Sequence, residues 1–304
     1  MEEIIIKVSG LVLMIVLGFG LKKLGMFKAE DSKLVSKILL NVTLPCSLLV
    51  NFQAVTANAL LLVVVFIGVA MNLFTMYLSK FLTRKEEPKR RYLFMLNTSG
   101  YNVGTFTVPV VGTFLSPLSV VTLCMFDIGN AIMTLGANYA LASGELAQDQ
   151  KYDVKQLVKK IFSSVPVDAY VLMLLLSVFS IRLPEPVLTI AGMIGSANTF
   201  LAMFMLGLSF DVHLSKESIH NILGILGIRY AVSIPMVFVM YFLLPFPLEM
   251  RQALAIVMLS ALSVGALAFT AKEDCDIEAA GVANSISIVI GIAGMTLLMI
   301  LFGV

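Results

Sequence analysis

The stretch SGYNVG, residues 99–104, sits in the middle of a long apolar run, and SALSVG, residues 260–265, sits in another. Both keep Ser, a small residue, two variable positions, Val and Gly in register. Glycine weakens a helix, and the Pro109 that follows the first stretch lacks a backbone donor. No water reaches the hydrocarbon core of a bilayer. Broken backbone survives there only where protein or a wet cavity satisfies it. Two such interruptions at matching places in one chain therefore point to a site at mid-membrane depth.

The surrounding composition supports a membrane setting. The chain of 304 residues is 59% hydrophobic and 13% charged, with a mean hydropathy of +0.97. Soluble domains carry about 25% charged residues. Apolar runs of bilayer-spanning length, roughly 20 residues, recur from end to end. They are continuous rather than alternating, which excludes a β-barrel. The N-terminal stretch lacks a basic start and an A-x-A site, so the first helix is expected to stay as an anchor. Cys46, Cys124 and Cys275 form no disulfide framework, and His213 and His220 do not resemble a metal site. No cofactor, nucleic acid or enzyme motif is indicated: the chain has no HExxH and no Ser–His arrangement. Asp127 is the only deep carboxylate, whereas aspartyl proteolysis needs a pair.

Ten spans are expected, at about 4–21, 34–53, 58–80, 92–114, 117–142, 161–182, 186–210, 221–244, 251–271 and 279–302. Their connections alternate in charge, and 17 of the 21 Lys and Arg residues fall on one side. The positive-inside rule makes that side cytoplasmic and puts both termini outside a cell membrane, inner or plasma. Ten spans divide into repeats at 1–142 and 161–304, joined by a cytoplasmic linker at 143–160. Five is odd, so the second half enters the membrane inverted, as in many secondary transporters. NVTL at 41–44 and NTFL at 198–201 occupy corresponding spans two and seven, as the two interrupted stretches occupy spans four and nine.

Polar side chains at membrane depth are the candidate site. Asn97, Asn102, Gly104 and Pro109 in span four, and Ser260, Ser263 and Gly265 in span nine, are expected to contact a ligand at the breaks. Asn41 and Asn198, near the middle of spans two and seven, fit packing or binding equally. Asp127 lies about ten residues into span five, where a charge costs at least ~2.5 kcal/mol. Helical spacing aligns it with Asn130, Thr134 and Asn138 on one stripe facing the interior. Burial favours the uncharged form of a carboxyl group, which suits Asp127 and Asn130 to an ion-coupling role. Asn284 and Ser287 take the corresponding places in span ten. Arg229 either snorkels to the basic side or balances Asp127 or an anionic ligand. Asp168, behind Pro166, is equally ambiguous.

Together these residues resemble the auxin efflux carrier family of membrane transporters, especially its bacterial malate- and malonate-permease-like branch. The resemblance covers essentially the whole chain. It rests on LGFGLKKLGMFKAEDSKLVSKILLNVTLPCSLL, NTSGYNVGTFTVPVVGTFL, FDIGNAIMTLGANYALASGE, SANTFLAMFMLGLSFD and AKEDCDIEAAGVANSISIVIGIAGMTL. It implies an all-α protein of ten transmembrane helices in two inverted five-helix repeats, related in fold to bile-acid sodium symporters. Helices four and nine are then broken and cross, with substrate at the crossing. It also implies a scaffold of spans one, two, six and seven, a transport domain of the other six, and a homodimer working by an elevator movement. Family members often carry Pro at the span-nine break, where this chain has Leu262. The long central loop of the plant carriers is absent.

The expected function is secondary active transport of a small organic anion, a carboxylate. Half-helix amides would meet the carboxylate, Asn102 and Ser263 would orient it, and Asp127 would bind a coupling proton or sodium ion. Two alternatives differ in a measurable way. A sodium symporter for a larger amphipathic anion, such as a bile acid, differs in cargo. A channel or a non-transporting sensor differs in showing fast currents, or binding without flux.

Overall fold

The structure, a computed structural model, describes residues 2–56, 58–146, 155, 159, 161, 163–210 and 215–303. Most of the expected linker therefore lies outside the described residues, as does His213. Among the described residues the secondary structure is entirely helical. Seven helices are long and apolar enough to cross a bilayer: α1 (Glu2–Lys23), α2 (Asp31–Gln53), α3 (Ala59–Leu82), α6 (Pro117–Leu146), α8 (Glu185–Ser209), α9 (Ile219–Leu243) and α12 (Ile277–Phe302). A shorter apolar helix, α7, spans Val165–Val178. The remaining helical stretches come in two interrupted pairs. One is α4 (Pro88–Thr98) with α5 (residues 103–111); the other is α10 (Leu248–Met258) with α11 (Gly265–Lys272). The chain is a helical membrane protein. Helices are the outcome because each satisfies its own backbone where water is absent.

Local signals set the helix starts. Asn58 accepts from Leu61 N–H to cap α3, and Asp276 accepts from Ala279 N–H at 2.8 Å to cap α12. Pro88, Pro117 and Pro166 occupy first-turn positions, where a missing N–H costs nothing. Pro235 lies inside α9, which opens into a wider turn over Val239–Leu243.

Lipid tails are as apolar as leucine, so helix pairing rests on close packing and hydrogen bonds. Gly18 and Gly207 bring α1 and α8 into backbone contact, and Gly68 and Gly129 do the same for α3 and α6. A Cβ at any of the four would collide with a facing main chain.

The basic connections gather at one end. Glu145 at the end of α6 pairs with Lys80 of α3 at 2.6 Å and with Arg91 of α4 at 2.5 Å. Arg90 Nε donates to Asn221 Oδ1 of α9 at 2.9 Å, and Lys272 donates to Tyr139, which donates to Glu273. At the other end Leu183 N–H donates to Gln53, and Ser177 donates to the Val55 carbonyl. The largest buried cluster lies between these ends, around α5, α6 and α10.

Candidate functional site

The two interruptions meet. Asn102 N–H donates to the Ala261 carbonyl at 2.9 Å, and Ser260 Oγ donates back to the Asn102 carbonyl at 2.9 Å. Thr107 Oγ1 donates to Ser260 Oγ at 2.8 Å. The first turn of α5 is wide, with Thr107 N–H reaching the Asn102 carbonyl five residues back at 3.2 Å. Wide turns of this kind are frequent at functional sites. Gly100 makes the bend with φ +87°, and a Cβ there would sit 2.8 Å from Ser263 Cβ. Only glycine takes that conformation freely and leaves room for the opposite break.

Each break is also held from the side by the helix that follows it. Asn130 of α6 accepts from Tyr101 N–H at 3.0 Å and donates to the Tyr101 carbonyl at 2.8 Å. Ser287 of α12 accepts from Leu262 N–H at 2.9 Å. Tyr101 and Leu262 hold the third place in SGYNVG and SALSVG, so the two supports are equivalent in register.

The four helix ends at the crossing divide by sign. The C-terminal ends of α4 and α10 carry negative partial charge, and Arg229 of α9 binds there. Its guanidinium donates to the Thr98 carbonyl at 3.1 Å and to the Ser260 carbonyl at 3.3 Å, and stacks 3.8 Å from the Tyr101 ring centre. Arg229 is 1% exposed, and among the described residues no carboxylate lies within ion-pair distance of it. It neither snorkels nor balances Asp127, which corrects both expectations. The positive N-terminal ends of α5 and α11 face a cavity of about 210 Å³, lined by Gly104, Thr105, Ser263 and Gly265.

Asp127 opens onto this cavity together with Asn102, Asn130, Thr134 and Tyr170. Asp127 accepts from Asn130 Nδ2 at 2.9 Å and from the Tyr170 hydroxyl of α7 at 3.0 Å. The carboxyl group also lies against the Gly104 amide, at the N-terminal end of α5. Among the described residues no basic side chain pairs with it. Asn130 Oδ1 also accepts from Asn72 Nδ2 of α3 at 3.2 Å, and Asn72 accepts from Asn138 at 3.3 Å. The stripe expected on α6 is thus a hydrogen-bonded chain ending at Asp127. Asn102 behaves differently. Its Oδ1 accepts from Thr105 Oγ1 at 2.5 Å, but its Nδ2 has no partner among the described residues, although the residue is only 6% exposed.

The other expected site residues are scattered. Asn97 donates to Leu93 and to Thr270 at 2.9 Å, tying α4 to α11. The Pro109 carbonyl accepts from Thr113 and Thr199, away from the cavity. Asn198 accepts from Thr43 at 3.1 Å between α8 and α2, while Asn41 is exposed and donates to its own helix at Lys37. Asp168 is exposed at the start of α7. Asn284 lines a second cavity of about 800 Å³, which shares Leu40, Thr105 and Val264 with the first, and its buried Oδ1 has no partner among the described residues.

Comparison with protein-family models gives no match, and comparison with curated proteins gives none.

Sequence reasoning passed over Asn72, Tyr170, Thr105, Thr107 and Tyr101. Asn72 carried the same signal as Asp127, a polar side chain deep in an apolar run. Tyr170 carried none, because a tyrosine one turn inside a helix is ordinary at a membrane interface.

Proposed function

We propose that the chain is a secondary active transporter that carries a small organic anion across the cell membrane by alternating access. The observation that carries this reading is the Asn102 Nδ2 donor, nine-tenths buried and without a partner among the described residues, beside two half-helix N-termini in a cavity at a hydrogen-bonded crossing. An unpaired buried donor costs about 1–3 kcal/mol, so the site is built to be completed by an acceptor. Carboxylate oxygens supply such acceptors, and positive helix ends favour their charge. Seven long helices, α7 and two interrupted pairs add up to ten crossings. The matched supports at Tyr101 and Leu262 favour two inverted repeats. We assign the basic end to the cytoplasm and both termini to the outside. This is the arrangement that the resemblance to the auxin efflux carrier family implies, with an elevator movement in a homodimer.

Asp127 is the candidate coupling residue. It faces the cavity, holds the α5 N-terminus and lacks a basic partner among the described residues, which leaves its charge to be met by a proton or a metal cation. One observation favours a second reading, a larger amphipathic anion: the adjoining 800 Å³ cavity is mainly apolar and within the size range of drug-sized ligands.

Counterflow in proteoliposomes tests the reading. Labelled mono- and dicarboxylates are expected to exchange saturably, and a bile acid to exchange only under the second reading. Binding without flux, or non-saturating current, overturns both.

A further inference from the structure

A groove of about 490 Å³ runs along the outside of the protein between α1 and α12. Val8, Val12 and Phe19 form one wall, and Ile288, Val289 and Thr296 belong to the other. Among the described lining residues only Thr296 has a polar side chain, and its hydroxyl donates to the Ile292 carbonyl at 2.6 Å, so along its length they offer a ligand no polar handle. Its two walls belong to different packing partners. α1 packs on α8 through Gly18 and Gly207, whereas α12 packs on α9, α10 and α11.

The end of the groove is different. Phe19 meets Phe210 edge-on at 5.9 Å, and the Lys22 and Lys23 ammonium groups lie 5.4 and 5.5 Å from the Phe19 ring centre. Lys22 also donates to the Phe210 carbonyl at 2.5 Å, which fixes it at the mouth. Lys23 is exposed and has no ion pair among the described residues. Residues three and four apart share a helix face, so both lysines stand above the apolar channel that Phe19 closes.

In a bilayer an apolar groove gains nothing by leaving water, so its shape alone selects no occupant. The charge at its end does. We propose that this groove is a binding site for an anionic phospholipid. One acyl chain lies between α1 and α12, and the phosphate headgroup sits on the exposed Lys23 at the Phe19 end. A zwitterionic lipid carries its own ammonium and gains less from Lys23. A lysine near an anionic lipid surface contributes about 1 kcal/mol, roughly fivefold in affinity. The proposal concerns binding and stands apart from the transport reading.

The chain contains no tryptophan, so an introduced one reports its surroundings alone. Val289→Trp places it on the α12 wall, and Val12→Trp on the α1 wall provides an independent reporter should the first fill the groove. Each variant is reconstituted in phosphatidylcholine with a small fraction of brominated acyl chains, carried by phosphatidylglycerol in one set and by phosphatidylcholine in the other. Brominated phosphatidylglycerol is expected to quench either tryptophan at a lower mole fraction. Lys23→Gln is expected to raise that fraction about fivefold. Phe66→Trp, on an exposed face of α3, is expected to show no preference. Equal quenching by both lipids at residues 289 and 12 would make the groove an ordinary lipid-facing surface. Protection from both would mean that something else, such as a second copy of the chain, covers it. Either result overturns the proposal.

Discussion

Replacing Asn130 by alanine removes the side chain that holds the first helix break. It makes four hydrogen bonds: from Tyr101 N–H, to the Tyr101 carbonyl, from Asn72 and to Asp127. The loss leaves both backbone groups of Tyr101 unpaired in a residue 2% exposed. Each such group costs about 1–3 kcal/mol, so the expected destabilisation is about 2–6 kcal/mol before the Asn72 and Asp127 contacts are counted. Water entering from the adjacent cavity would bring the cost toward the lower figure. Ser287→Ala, at the equivalent place beneath the second break, frees one backbone group, the Leu262 N–H. Its expected cost is about 1–3 kcal/mol. Buried Cys124 is a natural reporter once Cys46 and Cys275 are changed to serine, because a thiol-reactive fluorophore reaches it only on unfolding. The Asn130→Ala midpoint should fall by on the order of 5 to 20 °C, and that of Ser287→Ala by about half as much. An Asn130→Ala protein as stable as the parent, or a larger loss in Ser287→Ala, would refute the account of how the crossing is held.

Asn102→Ala removes a donor that has no partner among the described residues, so the purified protein should stay folded while anion affinity falls about 10- to 150-fold in equilibrium binding, the equivalent of about 1.5–3 kcal/mol; unchanged affinity would make Asn102 a packing residue. Asp127→Asn should keep exchange but lose gradient-driven accumulation, measured under separate proton and sodium gradients, and should lower stability because the new amide faces the Tyr170 and Asn130 donors. Arg229→Met should destabilise the crossing by leaving two helix-end carbonyls unpaired, about 2–6 kcal/mol by the same Cys124 readout. Arg229→Gln combined with Asp127→Asn should show additive losses, since the two side chains share no contact; mutual rescue would reinstate a direct pair.

The helices, their ends and the places where two of them break were legible in the sequence. Hydropathy reports segments that must bury a self-satisfied backbone, and Gly, Ser and Pro report where that backbone is interrupted. Gly100 is a clear case: a small residue placed between polar ones marks the bend that its positive φ makes. The alignment of Asp127 with Asn130 followed from helical spacing, whereas Asn138 lies beyond a wide turn at Met133–Ala137 and joins them through Asn72 of α3. The partners of these residues did not.

Sequence by itself determined that this is a helical membrane protein with interruptions in two of its apolar stretches, because composition and register depend only on neighbours along the chain. The tertiary structure decided what each polar group touches. Arg229 could reach solvent, a carboxylate or a helix end, and the rotation and depth of α9 placed it on the carbonyls of Thr98 and Ser260. Asn41 and Asn198 read alike as NV and NT pairs, yet one faces outward and the other meets Thr43. Helices that are apolar all round carry little information about which face turns inward. That choice is made by backbone contacts such as Gly68 with Gly129, between segments distant in sequence.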